Sequence, residues 1–280
     1  MKSPFQSLRS RWLSVLALLA VTIAPATAQE LLVGLGPKNR LVFFTNTNPG
    51  SVEVLKITGL AKKEKILGID RRPATGQLYA LGSSSRIYVI NADTGAATAV
   101  GSAPFTPALS GTRFGFDFNP VVDRIRIVSN TGQNLRAHPD TGVIAFTDTS
   151  IAYAVGDAGD GTVATVSGSA YTNSVSPAPL ATTLYNIDSK RDTLVTQNPP
   201  NNGTLNTVGA LGVNVTEVVG FDIAQNGAAY GAFQLKLKFG KSARAFLYNV
   251  NLETGTVTQV GKIGGPYPVS AITALGPLAQ

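Results

Sequence analysis

The sequence of 280 residues lacks cysteine altogether and contains a single histidine. Without cysteine, the chain forms no disulfide, holds no thiolate-bound zinc or iron–sulfur cluster and uses no thiolate nucleophile. With one histidine, a single chain also cannot build a multi-histidine metal site. We therefore expect neither a metal nor a cofactor in this protein.

Charged residues are also scarce, since Asp, Glu, Lys and Arg make up 14% of the chain, against roughly 25% in ordinary soluble domains. The formal net charge is +7, but the first 28 residues contribute three positive charges and no acid, which leaves +4 for residues 29–280. This weak basicity comes without a helix-turn-helix pattern or a basic patch interleaved with aromatic residues. The composition therefore does not predict a nucleic-acid partner.

Residues 1–28 have the organisation of a cleaved export signal. A basic start is followed by an apolar stretch over 12–24 and by small residues at Ala26 and Ala28, which match the pattern that signal peptidase reads. The apolar stretch is too short for a membrane span, which takes about 20 residues. We expect residues 29–280 to form one exported domain, periplasmic or extracellular, with no membrane span.

The remaining chain predicts an all-β fold built from repeats. Short runs of β-branched and aromatic residues alternate with clusters of Gly, Pro, Asn and Asp. A Gly-x-Asp motif that opens a hairpin occurs at 68–70, 115–117 and 220–222, and a second hairpin follows each copy. One repeat unit therefore has four antiparallel strands.

Four-stranded units of about 50 residues predict a β-propeller, for which we expect five blades. The start of this region offers only three strands, over 31–35, 40–45 and 51–57, and its end offers one, over 269–275. A ring closed by pairing the C-terminal strand with the N-terminal three explains both fragments. Four blades, six blades or a β-sandwich are the alternatives.

A weaker unit lies between the second and third clear copies. Its β-rich segments predict four strands in chain order, over 163–167, 170–173, 183–188 and 193–196. The long segments around these strands are the reason that four or six blades stay open as alternatives.

The repeat motifs also carry a family resemblance. The segments 68–82, 114–129, 132–136, 170–173 and 193–205 are similar to domain-of-unknown-function family 4394, a set of exported bacterial proteins. The resemblance implies export and a repeated β architecture. It supplies no catalytic residue to this chain.

Three aspartates are the first candidate site. Asp70, Asp117 and Asp222 share one repeat position near the end of the strand that lines a propeller's central channel. Converging carboxylates bind a ligand or ion, or hydrolyse glycosides when two face the substrate about 5–9.5 Å apart. An aspartate before a turn also accepts hydrogen bonds from turn amides. Repetition favours that structural role, and the three are retained as candidate ligand-binding residues.

Arginines of the second clear unit are the other candidates. Arg126 replaces the tyrosine of other units in an interior strand, and a buried arginine needs a partner, for which Asp117 and Asp123 are available. It forms either a salt bridge between blades or a guanidinium that holds an anionic or sugar ligand in the channel. Arg113 and Arg124 belong to the same unit and are included as candidate ligand-binding residues.

Other residues offer weaker signals. His138 lies in a predicted hairpin loop and is expected to be a turn residue. The acidic loop containing Asp157 and Asp160 lacks EF-hand spacing, and calcium there stays open. The chain has no Gly-x-Ser-x-Gly nucleophile motif.

The sequence predicts an exported, non-catalytic β-propeller that binds a protein, a glycan or a small molecule. The alternative is a carbohydrate-active or other hydrolase that uses channel-facing carboxylates.

Overall fold

The computed structural model describes residues 29–236, 242–265 and 268–278 of the chain. It confirms an all-β fold, a propeller of five blades in which each blade is a sheet of at least four strands. The predicted export signal, residues 1–28, lies outside the described residues. Almost no helix accompanies the sheets, apart from one short 3-10 turn at Pro200–Asn202.

Blade 1 closes the ring as predicted. It contains, from the axis outward, β21 (Ile272–Pro277), β1 (Glu30–Gly36), β2 (Arg40–Thr45) and β3 (Glu53–Lys56). The C-terminal strand runs antiparallel to the first strand, with Leu32 opposite Ala274 and Val33 opposite Thr273. The two ends of the described chain are thereby held in one sheet by backbone hydrogen bonds.

Blades 2, 3 and 5 follow the repeat directly, each with its strands in chain order from the axis outward. Blade 2 contains β4 (Ile66–Arg71), β5 (Leu78–Gly82), β6 (Arg86–Ile90) and β7 (Ala97–Val100). Blade 3 contains β8 (Phe114–Asn119), β9 (Arg124–Ser129), β10 (Asn134–Ala137) and β11 (Ile144–Thr147). Blade 5 contains β17 (Val215–Ile223), β18 (Ala229–Lys236), β19 (Ser242–Val250) and β20 (Val257–Lys262).

Blade 4 corrects the strand assignment made from sequence. Its strands are β13 (Val166–Tyr171), β14 (Leu184–Asp188), β15 (Thr193–Gln197) and β16 (Thr204–Ala210), with β12 (Ala152–Tyr153) added parallel to β16 at the outer edge. The predicted strands 163–167 and 170–173 both fall on the innermost strand, β13. The predicted third and fourth strands, 183–188 and 193–196, are therefore the second and third strands from the axis, β14 and β15. The outer strand β16 was missed.

The error in blade 4 has a physical cause at Gly168. The predicted break between strands 163–167 and 170–173 falls on Gly168, which lies inside β13, where an added Cβ would lie 3.0 Å from the Cβ of Phe221 in blade 5. The residue is therefore small because two inner strands approach closely, and its conformation is that of a strand.

The same close approach recurs around the axis. Glycines at the equivalent position of β8 and β4 leave no room for a side chain: a Cβ on Gly115 would lie 1.8 Å from Ser169 Oγ, and one on Gly68 would lie 2.7 Å from Phe116 Cβ. The inner strands consequently fill the axis, and the void that all five line measures only about 10 Å³. This is about the space of one water molecule.

Apolar clusters fill the spaces between blades. In the cluster between blades 2 and 3, the ring of Tyr79 packs edge-on against Phe118 with their centroids 5.1 Å apart. Because interior strands are covered on both faces, they offer few positions for charge. This packing accounts for the low content of charged residues.

The alternating strand directions place the connections on two faces of the propeller. The cavity face carries the β1–β2 turn and the segments that lead into β4 and β8, residues 36–39, 62–65 and 110–113. The hairpin face carries the β4–β5 and β8–β9 turns, residues 72–77 and 120–123. The candidate Arg113 lies on the cavity face, whereas Asp117 and Arg126 lie within strands β8 and β9.

Candidate functional site

The structure brings Asp70, Asp117 and Asp222 together beside the propeller axis. Each offers a carboxylate oxygen that lies within 4.8 Å of those of the other two, and the three residues are only 5%, 2% and 4% exposed. Blades 1 and 4 place Thr273 and Ala170 at the equivalent position. The ring of five positions therefore holds three acids, one hydroxyl and one apolar residue.

Each aspartate joins its own blade to the next one. The acceptor carboxylates take hydrogen bonds from backbone N–H groups of the following inner strand: Phe118 to Asp70 at 2.8 Å, Tyr171 to Asp117 at 2.8 Å and Ala274 to Asp222 at 2.6 Å. Thr273 completes the pattern, since its hydroxyl accepts from the amide of Arg71 at 3.2 Å and donates to Asp70 at 2.8 Å. The side chains thus connect inner strands that share no backbone ladder.

Burial and mutual repulsion disfavour charge on these aspartates. Burial, then the neighbouring Asp70 and Asp222 carboxylates, raise the pKa of Asp117 well above its ordinary value. Burial and Asp222 likewise raise the pKa of Asp70, and burial raises that of Asp222 in spite of the amides of Ala274 and Ile223. The cluster is therefore a natural place for shared protons.

This geometry revises the turn-amide interpretation. Asp70 and Asp222 do accept from the amide of the next residue, Arg71 and Ile223, at 2.7 Å each, but their other bonds cross to the neighbouring blade. Chemically, three carboxylates with oxygen-only donors suit a hard cation such as Ca²⁺. A glycosidase pair faces substrate and solvent, whereas these acids are buried and face backbone amides.

Arg126 is buried and fully engaged, but not by the predicted partners. It is 1% exposed, and it donates to Asp148 at 2.6 Å, to Asn134 at 2.7 Å and to Asn201 at 2.8 Å. The expectation of Asp117 or Asp123 was wrong because the side chain extends along the sheet toward the outer strands, away from the axis. The guanidinium therefore ties blade 3 to the 3-10 turn of blade 4.

Asp123 instead serves a different arginine. Arg72, at the start of the β4–β5 turn, donates to Asp123 at 2.9 Å and to Asp140 at 2.5 Å, and so links the hairpin faces of blades 2 and 3. Arg124 turns back on the adjoining loop, where it donates to the carbonyl of Asp123 at 2.9 Å. Neither Arg72 nor Arg124 lines the cavity that Arg113 borders, which is described below.

The weaker candidates hold loops. His138 lies at the β10–β11 hairpin, where its Nδ1 accepts from the amide of Asp140 at 3.2 Å. Asp157 fastens the acidic loop to β16 by accepting from the amide and hydroxyl of Thr207, both at 2.7 Å. Asp160 accepts from the amide of Gly156 at 2.8 Å.

Arg113 is the one predicted candidate that lines an open cavity on the cavity face. The cavity measures about 830 Å³, within the range of small-molecule sites, and its floor includes Phe114, Ile66 and the hydroxyl residues Ser167 and Ser270. It lies where inner strands begin, at one end of the filled axis. The shape is that of a pit closed at its base by the inner strands.

The rim of this cavity holds cations that sequence reasoning missed. Lys38 comes from the β1–β2 turn, and Lys63 and Lys65 come from the segment before β4. No lysine of this segment is among the candidates predicted from sequence. A usable signal was present, because residues that directly precede inner strands of different blades must meet on one face.

One acid, Glu64, also lines the cavity but is committed to its own blade. It accepts hydrogen bonds from Ser83 Oγ at 2.8 Å, the Ser84 amide at 2.8 Å and Tyr88 Oη at 2.9 Å. Burial opposes ionisation, but the hydrogen bonds from Ser84, Ser83 and Tyr88 prevail and lower the pKa of Glu64 below its ordinary value.

Within the part of the chain that the structure describes, no helix has the length and apolar character that crossing a membrane requires.

A family model described as domain of unknown function (DUF4394) matches residues 40–273. Comparison with functionally curated proteins gives no significant match. Among the three solved structures below, the one with a TM-score above 0.5 is 13% identical and shows the fold alone.

Three such structures illustrate the likeness. A protein of unknown function from Bacteroides thetaiotaomicron VPI-5482 is 13% identical with a TM-score of 0.54, over 91% of this chain and 66% of that one. An auxiliary nutrient binding protein from the same organism is 13% identical with a TM-score of 0.43, over 71% and 55%. Myxococcus xanthus glutaminyl cyclase is 8% identical with a TM-score of 0.44, over 79% and 95%. This chain thus spans less than two thirds of the first two structures.

Proposed function

Because the chain belongs to the domain-of-unknown-function family 4394, whose description assigns no activity, we propose a function from the site itself. The protein is an exported, non-catalytic binding propeller that takes a small molecule into the cavity beside Arg113. The observation that carries this proposal is the cavity of about 830 Å³ at one end of the filled axis. A solvent-open pit with polar groups on its rim and aromatic and aliphatic side chains on its floor is typical of a ligand site.

The hydrolase alternative has less support. Its three carboxylates are buried, bonded to backbone amides and separated from the cavity by inner strands that leave a void of about 10 Å³. A sugar approaching from the cavity face therefore meets Phe114 and serine hydroxyls and no open carboxylate pair.

The binding proposal is tested by filling the cavity. Thr112 is an exposed lining residue, so Thr112→Trp obstructs the pit from its rim without entering the core. A panel of charged and neutral metabolites and short glycans is screened by thermal shift and ligand-observed NMR. We expect hits with the parent protein that disappear in Thr112→Trp.

The matched control is Thr258→Trp, on the exposed outer strand β20 and outside the cavity lining. Binding that survives in Thr112→Trp, or is lost equally in the control, would exclude this cavity as the site. Hydrolysis of a chromogenic glycoside that is abolished by Asp117→Asn would instead favour the enzyme.

Export is part of the same proposal. Expression of the full chain in a bacterial host, followed by N-terminal sequencing of the periplasmic and medium fractions, should give a protein that begins at Gln29. A cytoplasmic protein that retains residues 1–28 would contradict it.

A further inference from the structure

Four cations line the cavity in a chain that is poor in charge. They are Lys38, Lys63, Lys65 and Arg113, and Glu64 is the one acid among the lining residues. They come from three segments, the β1–β2 turn of blade 1 and the connections that lead into blades 2 and 3. The fold, and not a local run of sequence, therefore brings them together. Such a concentration creates a positive potential inside a concave site.

The four cations have no ion-pair partner among the residues that the structure describes. None of the four forms an ion pair with any residue in 29–236, 242–265 or 268–278, whereas Arg72, Arg126 and Arg136 each do so. Glu64 is directed to two serines and a tyrosine of blade 2 and pairs with none of the four. Glu64 therefore offsets at most one of the four positive charges that line the cavity.

The side chain of Arg113 has a hydrogen-bond donor without an acceptor among the described residues. Its Nη1 donates to the carbonyl of Thr112 at 3.3 Å, but its Nε is buried without an acceptor. A buried donor without an acceptor is costly, so the side chain is not fully satisfied by the described residues. A guanidinium also forms strong charge-assisted hydrogen bonds with acidic groups. Its backbone is held from the other side, because Asn130 Oδ1 accepts from the amides of Thr112 at 2.9 Å and Arg113 at 3.3 Å.

We infer that the ligand of this cavity is a small polyanion, a molecule with two or more carboxylate, sulfate or phosphate groups that Arg113, Lys63 and Lys65 bind together. This inference rests on the proposed function and specifies its ligand class. The guanidinium provides a directional contact to one acidic group, and the flexible lysines balance the charge of the others. The apolar floor accommodates the carbon skeleton.

The inference is tested by titration calorimetry of the full mature protein at low ionic strength. The probes are citrate, pyrophosphate and digalacturonate, with maltose as the neutral probe. We expect at least one anion to bind and maltose to bind more weakly. Affinity should fall at least about tenfold in Arg113→Gln and in Lys63→Gln, the loss of one charge-assisted hydrogen bond, and should decline as NaCl is added.

Lys62→Gln is the matched control, since Lys62 is exposed, adjoins Lys63 and does not line the cavity. Anion affinity that is unchanged in Arg113→Gln and Lys63→Gln, or that falls equally in Lys62→Gln, overturns the inference. Binding of a neutral compound that Thr112→Trp abolishes, without anion binding, also overturns it but leaves the proposed function standing. Absence of any ligand in the wider panel refutes the proposed function as well.

Discussion

Ionisable side chains have partners in the interior of the propeller, whereas cations on its cavity face lack ion-pair partners among the described residues. Inside, Asp117 and Arg126 are buried and bound to partners in other strands or blades. On the cavity face, Arg113 and Lys63 border open space and have no ion-pair partner among the described residues. The difference teaches that buried ionisable groups join blades to each other, whereas the cations of the cavity face have no ion-pair partner among the described residues, as the proposed anion binding requires.

The strongest test of this comparison removes the partner of a buried charge. Asp148 is 7% exposed and binds Arg126 at 2.6 Å and Arg136 at 2.7 Å. Asp148→Ala leaves Arg126 buried without its counter-charge, which should lower the free energy of unfolding by about 3–5 kcal/mol. Equilibrium unfolding in urea measures this loss.

The control is Asp93→Ala, which removes a carboxylate from an exposed turn. It should change the free energy of unfolding by less than about 0.5 kcal/mol. Equal effects of the two substitutions would mean that the buried network does not stabilise the contact between blades.

The next effect is expected at the close approach of the inner strands. Gly115→Ala places a Cβ 1.8 Å from Ser169 Oγ, and overpacking of this kind should destabilise the fold by about 3 kcal/mol. Gly50→Ala is the control, because its nearest neighbours lie 3.8 and 3.9 Å away. If Gly115→Ala unfolds at the same urea concentration as the control, the inner strands have more freedom than the contact distances indicate.

Much of the fold could be predicted because the repeat places chemically similar residues at equal intervals. Gly68 and Gly115 precede Asp70 and Asp117 by two residues in each case, and ring closure followed from counting strands. Blade 4 could not be predicted in the same way, because Gly168, where the predicted strands were divided, serves close packing inside one strand.

The candidate site was less predictable for a related reason. The convergence of the aspartates follows from the repeat. The partners of Arg126 do not, because Asp148 and Asn201 lie in connections between strands, which the repeat does not specify. The cations of the cavity face lie in connections whose spacing differs between blades. Only the folded ring shows that Lys63 and Arg113 border the same cavity.

A smaller and pH-dependent effect is expected at the aspartate cluster. Burial and the neighbouring carboxylates raise the pKa of Asp117, so its protonated form is favoured in the folded state. Its contribution to stability is therefore full below the unfolded pKa near about 3.9 and is lost as pH rises through the folded pKa. Asp117→Asn cannot ionise, so it should become increasingly more stable than the parent as pH rises above about 4.

Asp117→Ala separates charge from hydrogen bonding. It leaves the amide of Tyr171 without its acceptor, which should cost about 1–3 kcal/mol at every pH, whereas the asparagine oxygen can still accept that bond. Urea unfolding of all three proteins across this pH range provides the measurement. A parent protein that gains stability over Asp117→Asn as pH rises would show that the cluster favours charge, as it would with a bound cation.

The smallest effect on stability is expected at the cavity face, and it completes the comparison. Arg113→Gln removes a cation whose Nε has no acceptor and whose nearest hydrogen bond is to the carbonyl of its neighbour Thr112. The free energy of unfolding should therefore change by less than about 0.5 kcal/mol in the absence of ligand, measured in the same urea titrations as Asp148→Ala. A loss near that of Asp148→Ala would place Arg113 among the charges that hold the blades together, and the division between interior and cavity face would fail.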